Sequence, residues 1–331
     1  MIFGQVVIGG ITRLTGSGLS ITKWEIVTGS LPPMNEQAWN KEFDLYKATP
    51  QYHKINHGMS LPEFKFIYFW EYFHRLWARL MGFVFAIPFF IFWRKGWIDR
   101  YLLLRLSFVI VLAALAASFG WIMVASGLAD RPWVNAYKLT LHLSIGLTLY
   151  SYLLWTTFGT FYPEGGLVRN HNVNKWAKIM TSVLAVQIIL GGIMSGMKAG
   201  LFYPTWPDMN GEFIPALLFD AAQWNVDNFV HYDRTPFMSA LVQVLHRLTA
   251  YGLTIIVLMY FFKARKITAP KVFNIWLYLL ITLLVVQVTL GILTVVHCIG
   301  VVPVALGVLH QAGALLLLTA ALFQNYAVSE K

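Results

Sequence analysis

The sequence predicts an all-α integral membrane protein with eight transmembrane helices, arranged as two parallel four-helix-bundle repeats related by a pseudo-two-fold axis along the membrane normal. Three observations carry that expectation. Of 331 residues, 57% are hydrophobic and 12% charged, about half the charged share of a soluble chain; the mean hydropathy is +0.60. The apolar residues gather into long runs, whereas the strands of a lipid-facing barrel would alternate in polarity. A set of glycines, glutamines, tryptophans and histidines then recurs in order in the second half.

The apolar runs cover 2–11, 64–93, 102–124, 139–161, 174–197, 238–262, 272–296 and 304–326. Each after the first is long enough for a hydrocarbon layer of about 30 Å at 1.5 Å per residue. The first covers barely half that thickness before Arg13, and the expectation is that this helix lacks an N-terminal piece. Loops after the second, fourth and sixth runs carry Arg94, Lys95, Arg100 and Arg105, then Arg169, Lys175 and Lys178, then Lys263, Arg265, Lys266 and Lys271, against only Asp99 and Glu164. These loops face the cytoplasm by the positive-inside rule. Both termini are then cytoplasmic. The segment from Thr12 to Lys65, the loop with Asp130 and Arg131, and the acid-rich loop with Asp208, Glu212, Asp220, Asp227 and Asp233 lie outside. The net charge of +10 follows this topology and is no nucleic-acid signal.

Gln5, Gly9, Gly10, Gly18 and Trp24 return as Gln187, Gly191, Gly192, Gly200 and Trp206; His74 and Arg75 return as His246 and Arg247, and His142 as His310. Four spans bring the chain back to its starting side, so the copies, 1–161 and 162–331, run in the same direction.

Within the spans the charged residues are Glu71, Arg75, Arg79 and Arg247, all near His74 or His246. Each basic or Asp side chain near a helix centre costs about 3 kcal/mol to insert, so these residues belong in a protein interior. His74, His142, His246 and His310 lie at similar depths on the second, fourth, sixth and eighth spans. Taken singly, an intramembrane histidine is as often a packing residue as a ligand. A neutral imidazole pair on facing helices can ligate haem iron from both sides, giving one haem-sized site per unit. Copper or zinc is the competitor, though two histidines without carboxylate or thiolate neighbours make a poor site for either. The lone Cys298 excludes an intramolecular disulfide, a four-cysteine iron–sulfur cluster and a cysteine zinc site. Arg75, Arg247 and Arg79 are placed to meet haem propionates, with Arg13 and Lys198 as loop candidates; snorkelling toward headgroups is the plainer alternative. His53, His57, His171, His231 and His297 read as solvated loop residues.

The copies differ three residues before the first histidine, where one has Glu71 and the other Gln243. Residues three apart share a helix face, so Glu71 points into the same space as His74. A carboxylate there can accept a proton, making the first unit the reaction chamber and the second an electron-passing low-spin haem. The alternative is that Glu71 only ion-pairs with Arg75.

Together GGITRLTGSGLSITKWEIVTGSLPP, EYFHRLWARLMG, GLFYPTWPDMNGEFIP, VLHRLTAYGLT and VLHQAG resemble the haem A synthase family over nearly the whole chain. The resemblance implies an oxidoreductase that converts the C8 methyl of haem O to the formyl of haem A for haem-copper terminal oxidase assembly. It implies haem b on His246 and His310, haem O entering at His74 and His142, and a catalytic Glu71. Its partners would be the haem O-producing farnesyltransferase and an external electron acceptor, in a bacterial cytoplasmic membrane; self-association is left open. The family's outer-loop cysteine pairs are absent here. Two other functions fit an eight-span duplicated chain: a di-haem b membrane electron-transfer protein, and a transporter, although the polar residues lie toward the outer face and not at the midplane.

Overall fold

The computed structural model describes residues 1–23, 31–129, 132–163 and 166–329. Trp24, Asp130, Arg131 and Glu164, used above for the repeat and the topology, lie outside the described residues. Among those described, the regular structure is helical, apart from one isolated bridge between Met209 and Glu212. The helices are α1 (Ile2–Leu14), α2 (Glu36–Lys47), α3 (Pro50–Lys54), α4 (Leu61–Arg94), α5 (Arg100–Ala129), α6 (Ala136–Phe161), α7 (His171–Gly196), α8 (Val226–Val230), α9 (Phe237–Ala264), α10 (Lys271–Val296) and α11 (Val304–Ala327).

Of the eight spans expected, six are long and apolar enough to cross a bilayer: α4, α5, α7, α9, α10 and α11. With 13 residues, α1 is too short. In α6 the length suffices, at 26 residues, but hydroxyl-bearing side chains lower its hydropathy. Those hydroxyls are satisfied within the helix: Thr140, Ser144, Thr148, Thr156, Thr157 and Thr160 each donate to the carbonyl four residues back, at 2.7–3.1 Å. A hydroxyl that bonds its own helix meets lipid at little cost.

The chain divides into two compact units, Met1–Tyr150 and Ser151–Lys331. This division falls inside α6, eleven residues before the boundary expected at 161, because the last turns of α6 join α11: Trp155 lies edge-on to Tyr326 at 5.1 Å and Phe158 to Phe323 at 5.4 Å.

In the first unit α1 packs on α4. It stops at Gly16, which takes φ +69°; Gly16 N–H bonds Arg13 O and Ser17 N–H bonds Thr12 O, a Schellman ending that turns the chain back along α4. The outer segment, which the sequence showed only as a long loop, contains α2 and α3. Asn35 caps α2 by accepting from Ala38 N–H at 2.8 Å. Phe43 and Tyr46 of α2 then pack on Phe64, Ile67 and Tyr68 of α4. Gln51 of α3 donates to Gly16 O at 2.9 Å, tying this aromatic cap to the end of α1. Glu63 accepts from the Ser60 N–H at the start of α4, 2.8 Å away.

In the second unit α7 packs on α9 and α11, and α10 on α9 and α11, so the four helices close a ring. The half nearest the loop between α9 and α10 is filled by buried side chains, among them Met180, Leu184, Val257, Phe273, Leu277, Leu280 and Leu315. There Tyr260 Oη donates to Gln324 Oε1 at 2.8 Å, and Gln324 Nε2 donates to Phe273 O at 3.1 Å, joining α9, α11 and α10. In α4, Phe83, Val84, Ile87 and Phe90 stay exposed, the surface a lipid-facing helix presents.

Candidate functional site

In the first unit Glu71 sits on α4 with 3% of its surface exposed. One oxygen accepts from Arg75 Nη2 at 2.6 Å; the other accepts from the Ser20 hydroxyl and the Ile21 N–H, both at 2.8 Å. The ion pair weighed from the sequence is therefore present, and the carboxylate also fastens the chain that returns from α1. Arg75 extends the same tie by donating to Ile21 O at 3.2 Å and Lys23 O at 3.3 Å. A buried pair of this kind holds its geometry only when its remaining valences are met, as they are here.

His74, one turn along, lies against Gly9 of α1: a Cβ placed on Gly9 would stand 3.0 Å from its Nε2. Gln5 donates to the His74 carbonyl at 3.3 Å. His142 of α6 lies against Gly120 of α5, where an added Cβ would stand 3.0 Å from Cε1. Its Nδ1 is 2.9 Å from Ala116 O, a bond that makes Nδ1 the protonated nitrogen and leaves Nε2 as a lone-pair donor.

The second unit repeats these contacts. His246 lies against Gly191 of α7 and His310 against Gly291 of α10, with added Cβ atoms 3.2 and 3.0 Å from the rings. The Gln187 amide nitrogen is 3.2 Å from both ring nitrogens of His246. Gln287 donates to the His310 carbonyl at 3.0 Å. Arg247 donates to Tyr203 O at 3.4 Å and Thr205 O at 2.7 Å; these are the carbonyls at the positions that match Ile21 and Lys23. It also reaches Pro207 O and Asp208 O. In place of Glu71, the wholly buried Gln243 donates to Tyr203 O at 2.8 Å.

The residues fit an iron porphyrin held from both sides. All four histidines are half-buried although they lie among packed helices. In the second unit the buried His310 Nδ1 has no hydrogen-bond partner, nor do the side-chain oxygens of Gln187, Gln243 and Gln287. Orphaned polar atoms of this kind belong beside a bound polar group. Among the described residues no three or more His, Cys, Asp or Glu side chains cluster.

Arg79 lines an outer cavity of about 390 Å³ together with Arg75, Lys23, Lys41 and Tyr72. Lys198 occupies a left-handed turn at φ +52° after α7. The other histidines have local contacts: His53 and His57 meet Tyr52, His231 bonds Asp227, and His297 bonds Leu293 O. His171 is the first residue of α7. Sequence reasoning missed Ser20, Gly120, Gly291 and Gln287. The two glycines left a fainter signal, since Gly120 stands 22 residues before His142 and Gly291 stands 19 before His310, each on the preceding span.

Fold and site together define a multi-pass helical membrane protein that seats two imidazoles on helix glycines in each of its two units. Residues 1–322 match the family of cytochrome oxidase assembly proteins. The chain belongs to that family. It is similar to the heme A synthase of Nitrosospira multiformis, 42% identical over 98% of this chain and 90% of that one. That of Parvibaculum lavamentivorans is 40% identical over 100% of this chain and 92% of its own, and that of Flavobacterium johnsoniae 36% over 100% and 95%. No solved structure matches the chain.

Proposed function

We propose that this protein is a haem A synthase that oxidises the C8 methyl of haem O to the formyl of haem A. The observation that carries the reading is two glycine-seated imidazoles in each unit, with a buried carboxylate, Glu71, one turn from His74 where the second unit has Gln243. His74 and His142 hold haem O as substrate, and His246 and His310 hold a resident haem b. The bound iron porphyrin supplies the redox chemistry.

The chain's own residues do the rest. Imidazole pairs orient the two porphyrins through directional bonds. Glu71, fixed by Arg75, Ser20 and the Ile21 N–H, keeps a proton-accepting oxygen one helical turn from His74. Arg75 and Arg247 hold the loops after α1 and α7 against the histidine helices through backbone carbonyls. Arg75, Arg247 and Arg79 supply the cationic side chains toward which a propionate would turn.

Eight spans in two parallel four-helix repeats, 1–161 and 162–331, complete the proposal. Its support is the matched set of hydrogen bonds from Arg75 and Arg247, and the four histidine–glycine contacts. The protein acts in the cytoplasmic membrane with both termini inside. It receives haem O from the farnesyltransferase that makes it, passes electrons to an external acceptor and serves terminal oxidase assembly. The di-haem b electron carrier finds no support in the relatives named above, which are all called synthases.

Replacing Glu71 with Gln tests the reading, because the side chain keeps its shape and loses its charge. Purified E71Q retains haem and converts haem O at a small fraction of the wild-type rate, about a hundredfold below it for loss of a general base. Haem A formed at the wild-type rate, identified by mass, contradicts the role given to Glu71.

A further inference from the structure

Each of the four histidines meets a glycine on another helix: His74 on Gly9 of α1, His142 on Gly120 of α5, His246 on Gly191 of α7 and His310 on Gly291 of α10. An added Cβ would stand 3.0–3.2 Å from a ring atom in every case. That is closer than side-chain carbons pack, so ring or helix would have to give way. The helices cannot part freely, at least in the second unit, where α7, α9, α10 and α11 bury Met180, Leu184, Val257, Tyr260, Phe273 and Leu277 against one another. The ring is the softer element, and it yields by rotating.

Glycine in a helix interior is about 1 kcal/mol worse than alanine, so four such positions oppose helix propensity. The contact is not general to the glycines of these helices. An added Cβ on Gly252 of α9 would meet nothing within 4 Å. Six residues beyond His246, Gly252 also lies about 240° around the helix from it.

We propose that Gly9, Gly120, Gly191 and Gly291 are positioning residues that set the rotation of the ligand imidazoles: each lets a ring lie flush on the neighbouring helix and so aims its iron-binding nitrogen. The inference rests on the haem reading above and extends it to residues that touch neither iron nor substrate. A rotated imidazole turns its lone pair away from the metal, because the bond is directional.

The test uses the purified full chain with the haem it retains, comparing Gly191→Ala and Gly291→Ala with Gly252→Ala. The expected result is a weakening of haem retention by about tenfold or more in the first two, the scale of lost support to a metal ligand. The absorption and electron paramagnetic resonance signature of a six-coordinate low-spin centre is lost with it, while helix content is unchanged. Free imidazole then restores the low-spin spectrum, which separates a turned ring from a bundle that has come apart. Gly252→Ala keeps the wild-type spectrum.

Wild-type spectra in Gly191→Ala and Gly291→Ala overturn the inference and leave the haem reading standing. Equal loss in Gly252→Ala, or no recovery with imidazole, overturns it as well. Wild-type protein that binds no haem overturns both.

Discussion

At the scale of the residue, the informative group is Glu71, whose charge the sequence showed and whose partners it hid. The Arg75 pairing follows from i,i+4 spacing on a helix. The Ser20 hydroxyl and Ile21 N–H come from some fifty residues away, and no periodicity points to them. Ser20→Ala removes a donor from a buried carboxylate, a bond worth about 1.5–3 kcal/mol. The expected outcome is a lower melting temperature in detergent and slower haem A formation, with haem content kept. A second residue-scale effect lies in the outer loop. Asp227 is held below the usual carboxylate range by the hydrogen bond from His231 and by the charge of Arg234. A lowered acid pKa stabilises the fold above the ordinary value of about 3.9, and the effect is lost as pH falls through the lowered one. Limited proteolysis should show the 226–234 segment loosening in acid, and Asp227→Asn should be loose at every pH and flat across that range.

At the scale of the element, helices were legible where apolar runs were long, and less so where polarity or brevity blurred them. The amphipathic α2 lies in a stretch with charges throughout, so hydropathy alone passed over it. In α6 the apolar run was recognised, while the hydroxyls that set its hydropathy apart are answered by bonds inside the helix. Helix ends were written more plainly, since Gly16 and Gly96 both take positive φ in Schellman endings. Alanine at either position brings the left-handed strain of about 1–2 kcal/mol. Both variants should melt lower by a similar amount. Only Gly16→Ala should also slow haem A formation, because that turn leads into Ser20 and Ile21, whereas Gly96 lies about 30 Å along α4 from His74.

At the scale of the whole molecule, composition and the charge of the loops imply a membrane topology that reporter fusions can check. A fusion after Lys331 should report from the cytoplasm and one within 216–223 from outside; the reverse result removes the topology. The four histidines and their order were readable because duplication writes each position twice. The glycines beneath them were readable only in part: Gly9 and Gly191 belong to the visible repeat, and Gly120 and Gly291 stand in helices whose other residues match poorly. What the hydrogen bonds of Tyr260, Gln324 and Phe273 do to the second unit is a matter of access. They tie α9, α10 and α11 together on the side of the basic loops. On the topology proposed above, a vessel laced shut below fills from above or through its walls, so a porphyrin would reach the second unit from the far face or from the lipid.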